Sequence, residues 1–312
     1  RDSLAALNEL LGRIATPEQL AELERSTLDD YVLGEGRDRT RRSEQLASRA
    51  EPGLEQFIPR RAGGLGLSAS DVDLYMTCPL KYKFARVFAI PQEPTINQRF
   101  GILIHNVLER FHAEELRGFG DDDSGGAGDG GIDRLLALFE AGWRRTGFGF
   151  TDDELQYRDR AVAALARYHE RHATGAGRPV WLERRFSFKI GDYTVGGRVD
   201  RVDRHPDGGY ELIDYKTGAP KSAADLADDL QIALYRIAAR DAWDIEAADG
   251  AYWYVLDDEK VPAGGEPDAM ERVERTVAEV AEGIIGQDFE PKPDFAVCSW
   301  CDYRLICPAS EA

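Results

Sequence analysis

The spacing of hydrophobic and polar positions changes along this chain, and the changes mark its elements. Phe100, Leu103, Ile104, Val107, Leu108 and Phe111 recur at helical spacing and form one apolar stripe. Residues 132–145 and 153–172 keep that period and predict two further helices, a lobe inserted into the core. The period then drops to two. Residues 180–190, 193–204 and 209–216 alternate as half-buried strands. Between the last two, His205-Pro206-Asp207-Gly208-Gly209 is turn chemistry, with proline presetting one dihedral and glycine permitting positive φ. Helical spacing returns over 225–240, with Leu226, Leu230, Ala233, Leu234 and Ile237 inward. A short buried strand at 251–256 and a helix over 270–285 complete the pattern. Hairpins make antiparallel pairs, and the crossover through 225–240 makes its flanking strands parallel. The expected fold class is α/β: helix, three strands, helix and strand, in a mixed sheet flanked by helices.

Residues 1–66 read as a helical lead-in and linker ahead of a domain over 67–312. Leu4, Leu7, Leu10, Leu11 and Ile14 share one helical face, and Thr16-Pro17-Glu18-Gln19 starts a second helix with Pro at N1. Residues 61–66, glycine-rich, are the linker. Ser70 with Asp73 predicts a capping box for a short helix that Pro79 breaks. Lys81, Lys83 and Arg86 alternate with Tyr82 and Phe84. That mixture suits a single nucleic-acid strand, with bases stacked and phosphates paired, and equally a helix with a solvated basic face. The stretch GFGDDDSGGAGDGG at 118–131 predicts a mobile acidic loop. A chain opening on Arg1 is expected to be a piece of a longer polypeptide.

Composition narrows the function classes. The 312 residues include 57 acidic and 39 basic side chains, a formal net charge of −18. A protein that grips DNA by neutralising phosphates is normally basic. An acidic enzyme can still meet DNA through bound cations and a local basic strip, with a partner delivering the strand. No apolar run reaches the length of a membrane span and no signal-peptide pattern opens the chain, so the expectation is a cytoplasmic location without membrane attachment.

The candidate chemistry lies on the strand hairpin. Alternation puts Asp214 and Lys216 on one strand face, Tyr215 on the other, and a hairpin brings Asp200 beside them. Two carboxylates and an ammonium suit a hard divalent cation, Mg²⁺ or Mn²⁺, which prefers oxygen ligands and takes further ones from phosphate. The same residues on a hairpin also describe a surface salt bridge. His105, Glu109 and His112 share a helical face, from which His105 can lean over such a site. Gln231 and Tyr235, spaced i, i+4, are expected to stack on the flank of their helix. The four cysteines are Cys78 and a C-x2-C-x5-C cluster at Cys298, Cys301 and Cys307. Four thiols in a chain without secretion signals point to a metal centre, zinc or iron–sulfur.

These residues resemble the PD-(D/E)xK nucleases, and more narrowly the RecB-type branch. Gly101-x-x-x-His105 is similar to the family's first motif, Gly197-x-x-Asp200-Arg201-x-Asp203 to its second, Ile213-Asp214-Tyr215-Lys216 to its third, and Gln231-x-x-x-Tyr235 to its fourth. The Cys78-Pro79 segment with the C-terminal cysteines resembles the iron–sulfur staple of AddB- and AdnAB-like helicase–nucleases. The likeness covers about residues 67–308 and implies a restriction-endonuclease-like core with a C-terminal Fe–S region. It implies that Asp200, Asp214, His105 and the Tyr215 carbonyl hold the divalent metal. Lys216 would position or activate water, and Gln231 and Tyr235 would support the site. Cys78, Cys298, Cys301 and Cys307 would hold a structural 4Fe-4S cluster. It further implies a DNA nuclease of repair or recombination, a C-terminal module fed single strands or duplex ends by a UvrD-like helicase motor. Lys81, Lys83 and Arg86 are candidate DNA contacts. Asp203 is expected to be structural, and Glu109 and Glu183 to lie outside the ligand set. The competing expectations are a catalytically silent DNA-holding scaffold and a zinc-stapled structural domain of a motor complex.

Overall fold

The chain divides into two units, Arg1–Gln56 and Phe57–Ala312. The computed structural model describes residues 13, 15–19, 53–61, 64–117, 130–149, 151–175, 177–227, 229–245, 248–264 and 268–311. In the first unit Thr16 caps a helix entered at Pro17: its Oγ1 accepts from the Gln19 amide at 3.3 Å, and Gln19 Oε1 accepts from the Thr16 amide at 2.9 Å. The expected stripe from Leu4 to Ile14 lies outside the described residues.

The second unit is built on one mixed sheet. In chain order it has β1 (Arg60–Arg61), β2 (Gly64–Leu67), β3 (Arg178–Ile190), β4 (Tyr193–Arg204), β5 (Tyr210–Lys216), β6 (Ala248–Tyr254) and β7 (Glu259–Pro262). The path across it runs β1-β2-β4-β5-β6-β7, with β3 paired to β4. β3 and β4 form a long antiparallel hairpin, and β4 and β5 a second. β5 and β6 are parallel, as the crossover requires, and β7 returns antiparallel to β6.

Helices α1 (Ala69–Thr77), α2 (Pro79–Tyr82), α3 (Ile96–Glu115), α4 (Gly130–Arg145) and α5 (Asp152–Thr174) precede β3. α6 (Leu230–Trp243) joins β5 to β6, and α7 (Ala269–Ile285) and α8 (Phe295–Ser299) follow β7. The predicted stripe of α3 is buried against Leu135, Phe139 and Trp143 of α4, Ala161, Leu165 and Tyr168 of α5, and Ile213 and Tyr215 of β5. Removing those side chains from water is what holds the helices on this sheet face. The face bearing Asp214 receives α6 instead. Two glycines set the approach of the helices. A Cβ on Gly250 would collide with Ile232, and one on Gly101 would lie 3.3 Å from Thr217 Oγ1. The second brings α3, and His105 with it, close to the end of β5.

Several expectations are corrected. The glycine-rich stretch read as linker is in part β2, parallel to β4 with Gly66 opposite Thr194. Leu65 and Leu67 are buried, and that burial turns a flexible composition into a strand. The capping box falls two residues earlier, at Ser68 and Asp71. The same S-x-x-D spacing occurs in both registers, and the end of β2 at Leu67 selects the first. α6 begins at Leu230 rather than 225, because Asp229 caps it by accepting from the Ile232 amide at 2.9 Å. The aspartate at 225 closes a separate turn with Ser222, whose Oγ donates at 2.7 Å. The expected loop falls at 118–129, outside the described residues, and Gly130 opens α4. Among the described residues no helix is long and apolar enough to cross a membrane.

Candidate active site

The two hairpins bring three acidic side chains to one place. One step beyond the Arg201–Ile213 pair, Asp200 and Asp214 face each other across β4 and β5. Both are buried, at 8% and 3% exposure. The Tyr215 amide donates to Asp200 Oδ2 at 2.9 Å and ties the strands at that point. Asp214 Oδ1 accepts from Gln231 Nε2 at 2.7 Å and Tyr235 Oη at 2.9 Å. Its Oδ2 lies 2.7 Å from Lys216 Nζ, which also donates to Gln231 Oε1 at 3.0 Å. Gln231 and Tyr235 therefore do not stack. They are joined by a 2.7 Å hydrogen bond and converge on one carboxylate oxygen, as polar side chains one helical turn apart do when a buried acceptor faces them.

On the other side of Asp200 stands α3. His105 Nδ1 is 3.3 Å from Asp200 Oδ2, and its ring meets Tyr215 edge-on at 6.0 Å. Glu183 of β3 closes the group, and His105, Glu183 and Asp200 each offer a ligand atom within 4.8 Å of the others. Glu183 sits in the left-handed region at φ 48° within a strand, a conformation that costs an L-residue about 1–2 kcal/mol. His105 and Lys216 are each about one-third exposed, at 32% and 35%, so the site has a solvent edge.

Electrostatics mark this group as short of positive charge. Burial and the Asp200 charge push the Asp214 carboxyl above the usual carboxylate range, against the pull of Lys216. Burial, then Asp200, raises the Glu183 carboxyl to about 7. Burial works to lower the His105 imidazole, but its hydrogen bond to Asp200 and the acidic charges outweigh that, and its pKa is raised. Crowded carboxylates with one imidazole form a donor set that fits a divalent cation, since carboxylate oxygens suit both Mg²⁺ and Mn²⁺ and the less hard Mn²⁺ also takes an imidazole nitrogen.

Glu183 and Tyr252 carry more of this site than sequence reasoning assigned them. The signal for Glu183 was a count: the Gly191-Asp192 turn makes Ile190 pair with Tyr193, and stepping back from that pair sets residue 183 opposite 200. Tyr252, opposite Asp214 on β6, gave no signal beyond an apolar strand. Its ring lies 4.6 Å from Lys216 Nζ, and its hydroxyl donates to Asp229 Oδ1 at 2.6 Å.

On the opposite face of β4 lies a buried polar network around Arg201, which is 1% exposed. Its Nε and Nη2 donate to Asp203 at 2.5 and 2.6 Å. It also reaches Tyr168 Oη at 2.9 Å, His112 Nε2 at 3.1 Å and His172 Nδ1 at 3.3 Å. Arginine only donates, so those two ring nitrogens accept. The other nitrogens then donate to Glu115, His112 Nδ1 at 2.5 Å and His172 Nε2 at 3.2 Å. This fixes both tautomers and leaves no ring nitrogen for a cation, although His112, Glu115 and His172 cluster closely enough to hold one. The 2.7 Å bond between Tyr168 Oη and Tyr215 Oη links the network to the strand that carries Asp214.

Burial, above all, pushes His112 down to about 4. Burial works to raise Glu115, but hydrogen bonds from His112 and His172 hold it well below the usual carboxylate range. As pH falls from the unfolded histidine value near 6.5 toward 4, the unfolded chain takes up a proton that native His112 refuses, and stability is lost. The Glu115 contribution, present above its unfolded value, is lost in the same direction. The melting temperature of the wild type is expected to drop more steeply across that window than that of His112→Gln. Parallel pH profiles of the two proteins would refute this origin of acid sensitivity.

All four cysteines are free and half-buried, and they line one pocket together with Lys81, Phe84, Lys292 and Tyr303. Other contacts bring the chain segments there: Tyr75 Oη donates to the Asp288 carbonyl at 2.6 Å, and Tyr303 Oη to that of Ile90 at 3.3 Å. Among the described residues no three cysteine sulfurs lie within 4.8 Å of one another. Of the candidate DNA contacts, Arg86 is paired with Asp71 at 2.5 Å. Lys83 lies over the Phe88 and Phe289 rings at 5.3 and 5.5 Å.

A mixed sheet with helices on both faces and an Asp, Asp-x-Lys group at the seam of two hairpins defines a nuclease-like α/β protein. The chain belongs to the PD-(D/E)XK nuclease superfamily, whose family model matches residues 66–308. The "Gene 69 protein" of Mycobacterium phage D29 is 24% identical over 272 residues, spanning 77% of this chain and 96% of that one. The "Gene 69 protein" of Mycobacterium phage L5 is 28% identical over 135 residues, spanning 41% of this chain and 44% of that one. A solved structure from Eubacterium rectale, described as a candidate exonuclease, is 12% identical, with a TM-score of 0.45 over 85% of this chain and 94% of that one. The family assignment rests on the sequence match.

Proposed function

We propose that this protein is a divalent-metal-dependent deoxyribonuclease that hydrolyses phosphodiester bonds of single strands or duplex ends. The observation that carries the reading is the convergence of Asp200, Asp214 and Lys216 at a buried site with a solvent edge. Asp200, Asp214, His105 and the Tyr215 carbonyl hold Mg²⁺ or Mn²⁺. Such a cation, when bound, supplies a Lewis acid for a phosphoryl oxygen and makes nearby water more acidic. Lys216 steadies the attacking water, while Gln231 and Tyr235 hold Asp214 in one orientation and Tyr252 shelves the ammonium. Water attacks phosphorus in line, the opposite P–O bond breaks, and the departing sugar oxygen leaves as a hydroxyl with a proton from water, with no covalent intermediate. Labelled single-stranded DNA with Mg²⁺ or Mn²⁺ tests the reading, comparing wild type with Asp214→Asn and Lys216→Ala. Equal cleavage by the three ends it.

The net charge of −18 favours a strand delivered by a partner, and a helicase motor acting in repair or recombination is the partner of that kind. Cys78, Cys298, Cys301 and Cys307 hold a 4Fe-4S cluster that staples the C-terminal segment to α2. Four thiols lining one pocket supply the donors, and the resemblance of Cys78-Pro79 and the C-x2-C-x5-C run to the helicase–nuclease staple favours a cluster over zinc. Anaerobically purified protein is expected to be brown, and Cys301→Ala to lose the colour with most of its soluble yield. A colourless wild type, or a soluble Cys301→Ala of unchanged melting temperature, would defeat the staple.

A further inference from the structure

We propose that Glu183 is itself a ligand of the site's divalent cation, on the side of Asp200 that faces His105. The inference rests on the metal-dependent reading above and adds a residue to it. Glu183 lies directly across the β3–β4 hairpin from Asp200, between the Leu182–Arg201 and Arg184–Val199 pairs. One oxygen of its carboxylate lies within 4.8 Å of both His105 and Asp200 donor atoms. The residue holds a positive φ of 48° inside a strand. Arg198, with its own side chain 54% exposed, pairs with the buried Oε2. A carboxylate has two oxygens, so this pairing leaves Oε1 as a donor. With Asp200 and Asp214, one imidazole and three carboxylates then make a mixed nitrogen–oxygen set, of the kind Mn²⁺ accepts more readily than Mg²⁺ does.

The test is Mn²⁺ binding, followed by the electron paramagnetic resonance of the free ion, without DNA. Wild type is compared with Glu183→Gln and Glu183→Gly. Glycine accepts the positive φ, so the second variant carries the test if the first fails to fold. Loss of an outer hydrogen-bond partner commonly weakens metal binding about 10–100-fold, so loss of a direct ligand should weaken it at least about tenfold. A loss under tenfold in the folded variants overturns the assignment of Glu183 alone. If wild type binds no Mn²⁺, the metal-dependent reading falls and takes the inference with it.

Discussion

Asp214→Asn is expected to reduce DNA cleavage by about 10³-fold or more while leaving the fold intact. Asparagine keeps the shape of the side chain and can still accept from Gln231 and Tyr235 at Oδ1. It loses the negative charge that would hold a cation and that pairs with Lys216 at 2.7 Å. The metal-free protein should not suffer for it. The Asp214 carboxyl is raised by burial and by Asp200, so its ionised form at neutral pH is a cost to the native state. A group with a folded pKa above its unfolded value destabilises as pH rises through that window, and a neutral side chain removes the term. In EDTA, Asp214→Asn is therefore expected to melt at or above the wild-type temperature. Mn²⁺ should raise the wild-type melting temperature and not that of the variant. Lys216→Ala should behave differently: cleavage falls about 10²–10⁴-fold, while the Mn²⁺-induced shift survives. A variant at position 214 that keeps both cleavage and the metal-induced shift would refute the assignment of Asp214 as a ligand.

Arg201→Met should cost about 3–5 kcal/mol of stability, the range for breaking a buried ion pair from one side. The guanidinium is the centre of its network, and removing it leaves Asp203, 2% exposed, buried without its bidentate partner. His112, His172 and Tyr168 lose a donor in the same step. Removing both charges, as in Arg201→Met with Asp203→Leu, should recover much of the loss, because no unpaired charge then remains buried. Urea unfolding of the wild type and both variants measures this. A single variant within about 1 kcal/mol of wild type would show the network to be incidental.

The strands that carry the site were readable because their information is local. A period of two, a Pro-Asp-Gly-Gly turn and a short Gly-Asp turn set which residues of β3, β4 and β5 face one another. Asp200, Asp214 and Lys216 follow by counting. Glu183 follows by the same count, but its backbone excursion at φ 48° does not, since nothing in the side chain announces it. β2 was misread because glycine-rich composition describes freedom in the unfolded chain, while the burial of Leu65 and Leu67 depends on what the strand meets. His105 was placed by resemblance; from residues alone it was one histidine on an amphipathic helix.

Period, turn chemistry and residue count, all properties of neighbours in the chain, were enough to set strands β3 to β5, their two hairpins and the acidic pair between them. The Arg201 network and the convergence of Gln231 and Tyr235 on Asp214 Oδ1 arose only when distant segments packed. Arg201 and His112 are 89 positions apart, and no periodicity reports which of many polar side chains will be buried together. That choice is made by the shapes of the helices packed on each sheet face, because a buried donor must find an acceptor wherever packing has put one.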